Sequence, residues 1–514
     1  MRVKTIKVHR VHAEARPLLR QTALMPPLDA WYAHRRTLPT VLLYDSIPEP
    51  LPDFTAYLIQ ALSRTLNHFL QYAGDIDLCT VDEVGQEKPI RRTRIFWGGP
   101  DEQGATFIEA QTKARIQSLV PRTTLESTSF IWDRSAASAR PLFVNEHPLV
   151  PLQGRSAGMR AQMTAFSCGG FSLALDIDHG LGDDSNLGLF LQYWSAIYNS
   201  MFHPDVSQSL GSLPEVLFEP QTLENRVASI QFDEKKLQLA RELPTVAPFL
   251  PDLDSDTNLD PATAQPQPSV PQPVPLFDGV SGLLRLSAQD CEDIIRNIQT
   301  RATSPVVDLM ALVSFVWAAI NRARQNIGNP SAALYMPMSL RSMLRLPPGL
   351  LGSPLMSMGV QLLGEDFTSV AYFDAATLAV QATKTVAKYT EENFLILTKE
   401  VMQRHSPSKF SRGRPSSHGR IGVSSVVRFG LNDVSFASLK PVFICPLVPV
   451  PYMFILKEAI PTMSVASDPW SGSAGGSMKW YENGADIFFT LPHDVFEAFL
   501  SDPAISRFVS LCDV

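Results

Sequence analysis

Residues 159–194 read MRAQMTAFSCGGFSLALDIDHGLGDDSNLGLFLQYW, and the pattern of this stretch decides the fold. Up to Phe166 it alternates and is rich in β-formers, it breaks at Gly169-Gly170, and it resumes from Phe171 to Ile177. That predicts a strand, a glycine turn and a second strand, followed by a loop that holds His179. Behind the loop, Leu187, Phe190, Leu191 and Trp194 fall at helical spacing, and Asp183 or Asp184 can cap the free backbone donors of the helix. A histidine between a strand end and a helix start is placed to act. The spacing His179-x-x-x-Asp183 is weak by itself: with aspartate at about 6% of residues, ten histidines give about half a match by chance, and there is one. On spacing alone, a histidine hydrogen-bonded into a strand-to-helix corner is the better reading. The rest of the chain changes those odds.

At 514 residues the chain exceeds the size at which one core stops growing, so two domains are expected. The apolar fraction of 45% is that of a globular protein. A net charge of −7 argues against a nucleic-acid partner, because affinity for phosphate backbones needs a basic surface. Cys79, Cys168, Cys291, Cys445 and Cys512 are odd in number and form no CxxC pair, which points to neither a disulfide framework nor a metal site. The amino terminus, MRVKTIKVHR, alternates charge with β-branched residues and lacks the apolar core of a signal peptide. The apolar run from Pro441 to Leu456 carries Pro441, Pro446, Pro449 and Pro451, too many for a membrane-spanning helix. A cytoplasmic protein with no membrane partner is the expectation.

In chain order, Val41 to Tyr44 reads as a strand and Phe54, Leu58, Leu62, Leu66 and Phe69 as one face of an amphipathic helix. From Arg241 to Arg285 there is no intervening lysine or arginine, and from Pro248 to Pro275 eight prolines lie among Asp, Gln, Ser and Thr. Such a segment cannot bury enough apolar surface to order itself, so residues 245–276 are read as a linker between a first domain, 1–244, and a second, 277–514. The second half predicts a strand over Gly282 to Leu286, a helix from Val307 to Arg324 and a strand from Ala333 ending in Arg341. A long helical stretch over Ala371 to Leu397 follows, then strands at Gly422 to Phe429 and Ala485 to Leu491. Strands and helices alternate in both halves, which indicates two layered α/β domains.

With both halves laid out, the segment order resembles the BAHD family of acyl-CoA-dependent acyltransferases, and within it the fungal branch that acetylates secondary metabolites such as trichothecenes and ergot alkaloids. The resemblance is carried by Leu28-Asp29, Val41 to Tyr44, Tyr72-Ala-Gly-Asp75, the lead from Gln162 to Phe171, His179-Gly-Leu-Gly-Asp183 and the Gly-Ala-Asp-Ile strand near the end. A second family signature, Asp-Phe-Gly-Trp-Gly followed by Lys-Pro, is eroded here to Ser435-Phe-Ala-Ser438-Leu-Lys-Pro441. Asp184 stands where the family usually has glycine. The resemblance implies two domains like chloramphenicol acetyltransferase, each a mixed sheet flanked by helices, with a channel between them and His179 at its midpoint. It implies acyl-CoA as co-substrate, acetyl-CoA first among donors, a small-molecule alcohol as acceptor, no metal, and a monomer.

Transfer of an acyl group from a thioester to an alcohol needs a proton removed as the new bond forms. A neutral imidazole, with an ordinary pKa of about 6.5, suits that role and can return the proton to the CoA thiolate. His179 is therefore the expected general base. Asp183 is implied by the resemblance to face away from the ring and to pair with an arginine, for which Arg341 is the candidate; the other reading of Arg341 is a solvated strand-end charge. By analogy with the serine of chloramphenicol acetyltransferase, Ser435 and Ser438 are oxyanion candidates, although serine in a loop more often bonds its own backbone. Ser424 and Ser425 fall where the family lines its CoA channel. Arg404, Lys409, Arg412, Arg414 and Arg420 form a basic cluster, in which Arg412 and Arg414 are candidates for the CoA phosphates; a mobile solvated loop is the alternative. Two further functions remain open: peptide condensation by N-acyl transfer, whose motif carries a histidine where Asp178 stands, and a non-catalytic binding protein of the same fold. The match Gly154-Arg-Ser-Ala-Gly158 lacks the strand before and helix after that a nucleophile elbow needs.

Overall fold

A computed structural model describes residues 1–33, 40–48, 50–78, 93–121, 129–133, 142, 156–202, 210–231, 233–243, 279–325, 333–362, 373–404, 420–446, 452–460 and 479–508. Strand, turn and strand form as expected around the glycine pair: Met159–Phe166 and Phe171–Ile177 pair antiparallel, with Phe171 opposite Ala165 and Ile177 opposite Met159. They are the central strands of a six-stranded sheet whose order is Val3–Val11, Ala105–Thr112, Met159–Phe166, Phe171–Ile177, Thr40–Tyr44 and Phe443–Pro446. A seven-stranded sheet runs Leu355–Gln361, Ala333–Ser339, Arg420–Ser425, Met453–Glu458, Ala485–Leu491, Val280–Leu286 and Phe130–Asp133. A small four-stranded sheet adds Gln21–Leu24, Thr93–Trp97, Asp75–Leu78 and Ser156–Ala157.

Alternation along the strands sorts their side chains into two environments, because successive residues point to opposite faces. On Thr40–Tyr44, Leu42 and Tyr44 join the first core with helix residues Leu58, Phe190 and Trp194, while Val41 and Leu43 join a third cluster. That third cluster also takes Leu283, Ile455 and Phe488 from the seven-stranded sheet, so the two sheets share buried apolar surface. Phe443 is the pivot, its ring centroid 6.0 Å from that of Phe488 and 6.1 Å from that of Trp132. Both strands of a sheet buried on two faces read as continuous apolar runs, as Thr40–Tyr44 does.

Strands cross between the two halves, 1–244 and 277–514. Phe130–Asp133, from the first half, is the edge strand of the seven-stranded sheet, and Phe443–Pro446, from the second, is the edge strand of the six-stranded sheet. The helices Thr222–Ala228 and Glu234–Arg241 likewise belong to the second core through Leu223, Val227 and Ala240, and Arg226 and Lys236 meet Glu391 and Glu392 at 2.5 and 2.6 Å. Each half thus lends one apolar strand that extends the other half's sheet at its edge. The stretch read as a linker, 245–276, lies outside the described residues.

Several element ends moved by a few residues. The strand expected to end in Arg341 stops at Ser339, and Arg341 sits in the single helical turn Leu340–Met343, capped by the Ser339 hydroxyl. The helical stretch expected over Ala371 to Leu397 is formed by two helices, Ala375–Val386 and Glu391–Arg404. The strand expected over Gly422 to Phe429 is Arg420–Ser425.

Candidate active site

The Asp184–Ser200 helix begins where the cap argument placed it. Asp183, extended at φ −92°, accepts the backbone N–H of Ser185 at 3.1 Å and of Asn186 at 3.2 Å, which satisfies two of the free donors of the first turn. The strand that leads in is anchored by a buried cross-strand ion pair, Arg160 Nη2 to Asp176 Oδ2 at 2.8 Å. Asp178, fully buried, accepts from the Gly180 N–H at 3.0 Å and so shapes the turn. His179 is half-buried between these buried neighbours, the one side chain of the turn from Asp178 to Asp183 left partly open.

The second half closes around this turn. Gly352 donates its N–H to the Leu181 carbonyl at 2.9 Å, and Gly182 and Gly352 bridge as in a parallel ladder. Gly352 has φ +118°, and a Cβ there would stand 2.4 Å from Asp29 Oδ2, so only glycine allows the close approach. The next residue, Ser353, donates its N–H to Asp29 Oδ1 at 2.8 Å and its hydroxyl to the His179 carbonyl, and its Oγ lies 2.9 Å from His179 Nδ1. Arg341 pairs with Asp183, reaches Asn186 Oδ1 at 2.8 Å, and donates to the carbonyls of Leu350 and Gly352 at 2.9 and 2.7 Å. Its guanidinium is therefore a buried clamp between the helix start and the 350–352 segment, not a solvated strand-end charge. Asp183 points to Arg341 and its own helix, while the ring of His179 is held by Ser353.

Two carboxyls of the cluster are pushed in opposite directions. Burial alone would raise Asp183, but the Arg341 guanidinium, the Ser185 hydroxyl and the Asn186 N–H together hold it below the usual carboxylate range. Asp29 has only the Ser353 N–H and the more distant Arg341 to offset its burial, and its carboxyl is pushed up to about 7. Because that value lies above the unfolded one, near 3.9, the folded state loses stability as pH rises from about 4 to about 7 and no more above it. Asp29→Asn keeps an oxygen for the Ser353 N–H and removes the charge. The stability difference between the variant and the wild type, read from urea unfolding, should therefore move in the variant's favour across that window, by at most about 4 kcal/mol. A pH-independent difference would refute the account.

The remaining candidates sit elsewhere. Ser435 precedes and Ser438 lies in a tight turn in which Ala437 and Ser438 take φ 49° and 66° and Phe436 and Leu439 exchange backbone hydrogen bonds at 3.1 and 3.0 Å. The Phe436 ring is buried against Trp194, Tyr198 and Tyr44, and Asn199 donates to the Ser435 carbonyl at 2.8 Å. Between Asp184 and Asn199 the helix rises about 22 Å, at about 1.5 Å per residue, so this turn braces the far end of the helix and neither serine reaches His179. The eroded signature is a hairpin with a buried aromatic anchor. Ser424 is buried and Ser425 half-buried at the end of Arg420–Ser425. Arg412, Arg414 and Lys409 lie outside the described residues. Ser353, Gly352 and Asn186 were not singled out by sequence; the only local sign is a Gly-Ser-Pro run a short distance after Arg341. Among the described residues no group of three His, Cys, Asp or Glu is placed to hold a metal ion, and no helix is long and apolar enough to cross a membrane.

Comparison with known proteins identifies relatives and a shared fold. The chain is 39% identical to the acyltransferase abl6 of Leptosphaeria maculans over the whole length of both, and 27% identical to the acyltransferase AFT15-1 of Alternaria alternata over 94% of this chain and 93% of that one. Its fold is like that of F. graminearum TRI101 complexed with coenzyme A and deoxynivalenol, with a TM-score of 0.60 at 13% identity over 95% of this chain and 98% of that one. The model of the Transferase family matches residues 1–246 and 284–455, and with His179 and Asp183 set at the seam of two sheet-bearing halves, the chain belongs to that family, the BAHD acyltransferases.

Proposed function

We propose that this acyltransferase moves an acyl group from acyl-CoA, acetyl-CoA first among donors, to a hydroxyl of a small secondary metabolite, with His179 as general base. One observation carries the reading: His179 is the partly open side chain in an otherwise buried turn, on the seam where the two halves meet, with its Nδ1 edge already engaged by Ser353. Nε2 is then the nitrogen assigned to take the alcohol proton. A neutral imidazole accepts the alcohol proton as the oxygen attacks the thioester carbon; the C–O bond forms, the C–S bond breaks, and the proton passes to the departing CoA thiolate. No acyl-enzyme is needed, because the thioester is already activated.

Asp183 and Arg341 support this base by holding the turn and the 350–352 segment together. Ser424 and Ser425 remain candidates for CoA contact. The strands Ala333–Ser339 and Arg420–Ser425 run parallel from Ala333 opposite Arg420, so both serines lie at the same sheet end as the Arg341 turn. That end, beyond the carboxyl ends of parallel strands, is where open α/β sheets hold ligands. Arg412 and Arg414 remain candidates for the phosphates on charge alone. The likeness to a fold that holds coenzyme A and deoxynivalenol in TRI101 supports the same co-substrate class and a small hydroxylated acceptor here. We propose that the chain acts as a cytoplasmic monomer.

Mass spectrometry of reactions containing the purified chain, acetyl-CoA and a panel of hydroxylated fungal metabolites tests the function. An acceptor heavier by one acetyl group, with free CoA released in equal amount, is the expected result. Release of CoA only with amine acceptors would move the chain to N-acyl transfer. Wild-type protein inert toward every acyl-CoA and acceptor would leave a binding protein that kept the fold.

A further inference from the structure

We propose that Ser353 is a positioning residue that fixes which nitrogen of His179 carries the hydrogen. The inference rests on the reading of His179 as the base. A serine hydroxyl has one hydrogen to donate and lone pairs with which to accept. Ser353 spends that hydrogen on the His179 carbonyl, which can only accept. Its contact with His179 Nδ1, at 2.9 Å, is then a hydrogen bond only if Nδ1 carries the hydrogen and Ser353 Oγ accepts it. The neutral ring is thereby held with Nδ1–H toward Ser353 and with the lone pair on Nε2, the atom that must take the alcohol proton.

The hydroxyl is itself held from behind. Ser353 is fully buried, its N–H is bound by Asp29 Oδ1 at 2.8 Å, and the preceding Gly352 is tied through its own N–H to the Leu181 carbonyl at 2.9 Å. Asp29 comes from the helix Pro27–Tyr32 and Leu181 from the His179 turn, so three separate segments determine where one oxygen stands. A base supplied by the first half is thus set in its working form by a residue 174 positions away in the second. The ring orients correctly only when the two halves are docked. Asp183, the residue that sequence logic offers for this task, is turned to Arg341 and cannot perform it.

Nitrogen NMR of protein labelled with ¹⁵N-histidine reads the ring directly and needs no substrate. The His179 signals are those missing from His179→Ala. In the wild type at a pH where the ring is neutral, Nδ1 should show the shift of a protonated ring nitrogen and Nε2 that of an unprotonated one. A wild-type ring with the hydrogen on Nε2 overturns the proposal, and this spectrum alone decides it should a variant fail to fold. In Ser353→Ala the two shifts should move toward each other as the hydrogen redistributes. Turnover number should fall about 10–100-fold while the Michaelis constant for acyl-CoA holds, the usual cost of losing the partner that sets an imidazole's orientation. The acid limb of the pH profile should move to lower pH, because the protonated ring loses an acceptor. Ser353→Ala with unchanged nitrogen shifts and full turnover also overturns the proposal. Failure of the base assignment is a separate result: His179→Ala would then keep its turnover, whatever the tautomer.

Discussion

His179→Ala should lose turnover by about 10²–10⁴-fold, the range that a positioned general base contributes, while its urea unfolding midpoint stays close to that of the wild type. The two halves of this expectation come from different features of the same residue. The ring is half-buried and its neighbours Asp178, Leu181 and Asp183 hold the turn through their own hydrogen bonds, so truncation removes little packing. The chemistry has no second imidazole or carboxylate to fall back on in this turn, since Asp183 is committed to Arg341 and Asp178 to the Gly180 N–H. Product formation measured by mass spectrometry, with circular dichroism on the same preparation, separates the outcomes. A variant that folds and retains turnover within a few-fold of the wild type would remove His179 from the mechanism. A variant that unfolds would contradict the account of how the turn is held, and His179→Gln, which keeps a polar side chain of similar length, would then carry the kinetic test.

How much of this was legible before the coordinates depends on whether the signal was local. The Asp184–Ser200 helix was, because Leu187, Phe190, Leu191 and Trp194 recur at its period and an aspartate stands at its cap. The strand pair before it was legible for the same reason at period two. Where a strand finds its partner is not written in its own residues: Phe130–Asp133 and Phe443–Pro446 are apolar enough to be strands, yet each crosses to pair with a strand of the other half's sheet. Ser353 was illegible for a similar reason. Nothing distinguishes a serine in a Gly-Ser-Pro run until Asp29 and the Leu181 carbonyl fix its backbone beside His179. Resemblance located Asp183 and its arginine, because an ion pair needs only two residue types at matching places in the order. It gave no account of the hairpin at Ser435 and Ser438, which is held at the far end of the helix by Asn199 and the Phe436 ring.

Arg341→Met should cost about 3–5 kcal/mol of folding stability, the penalty for leaving a buried carboxylate without its partner. The environment puts this site at the upper part of that range. Asp183 is buried, and Arg341 also caps the Leu350 and Gly352 carbonyls, so the variant strands one charge and two acceptors together. Lysine cannot restore the set, because one ammonium does not reproduce the forked reach from Asp183 and Asn186 to both carbonyls. The sign of the pH dependence follows from Asp183. Its folded value lies below the unfolded one, so the pair's contribution is fully present above about pH 4 and is lost as pH falls through the depressed folded value. The difference in stability between wild type and Arg341→Met should therefore be largest near neutrality and shrink in acid. Asp183→Asn combined with Arg341→Met should cost less than the sum of the two single changes, since the second removes the charge that the first left uncompensated. Equal losses at pH 3 and pH 7, or strict additivity, would show that the clamp acts by shape alone. Activity offers an independent reading of the same contact: the guanidinium ties the helix start to the segment that carries Ser353, so the double variant, even where its stability recovers, should remain slow because the 350–352 segment has lost the donor that fastened it beside His179.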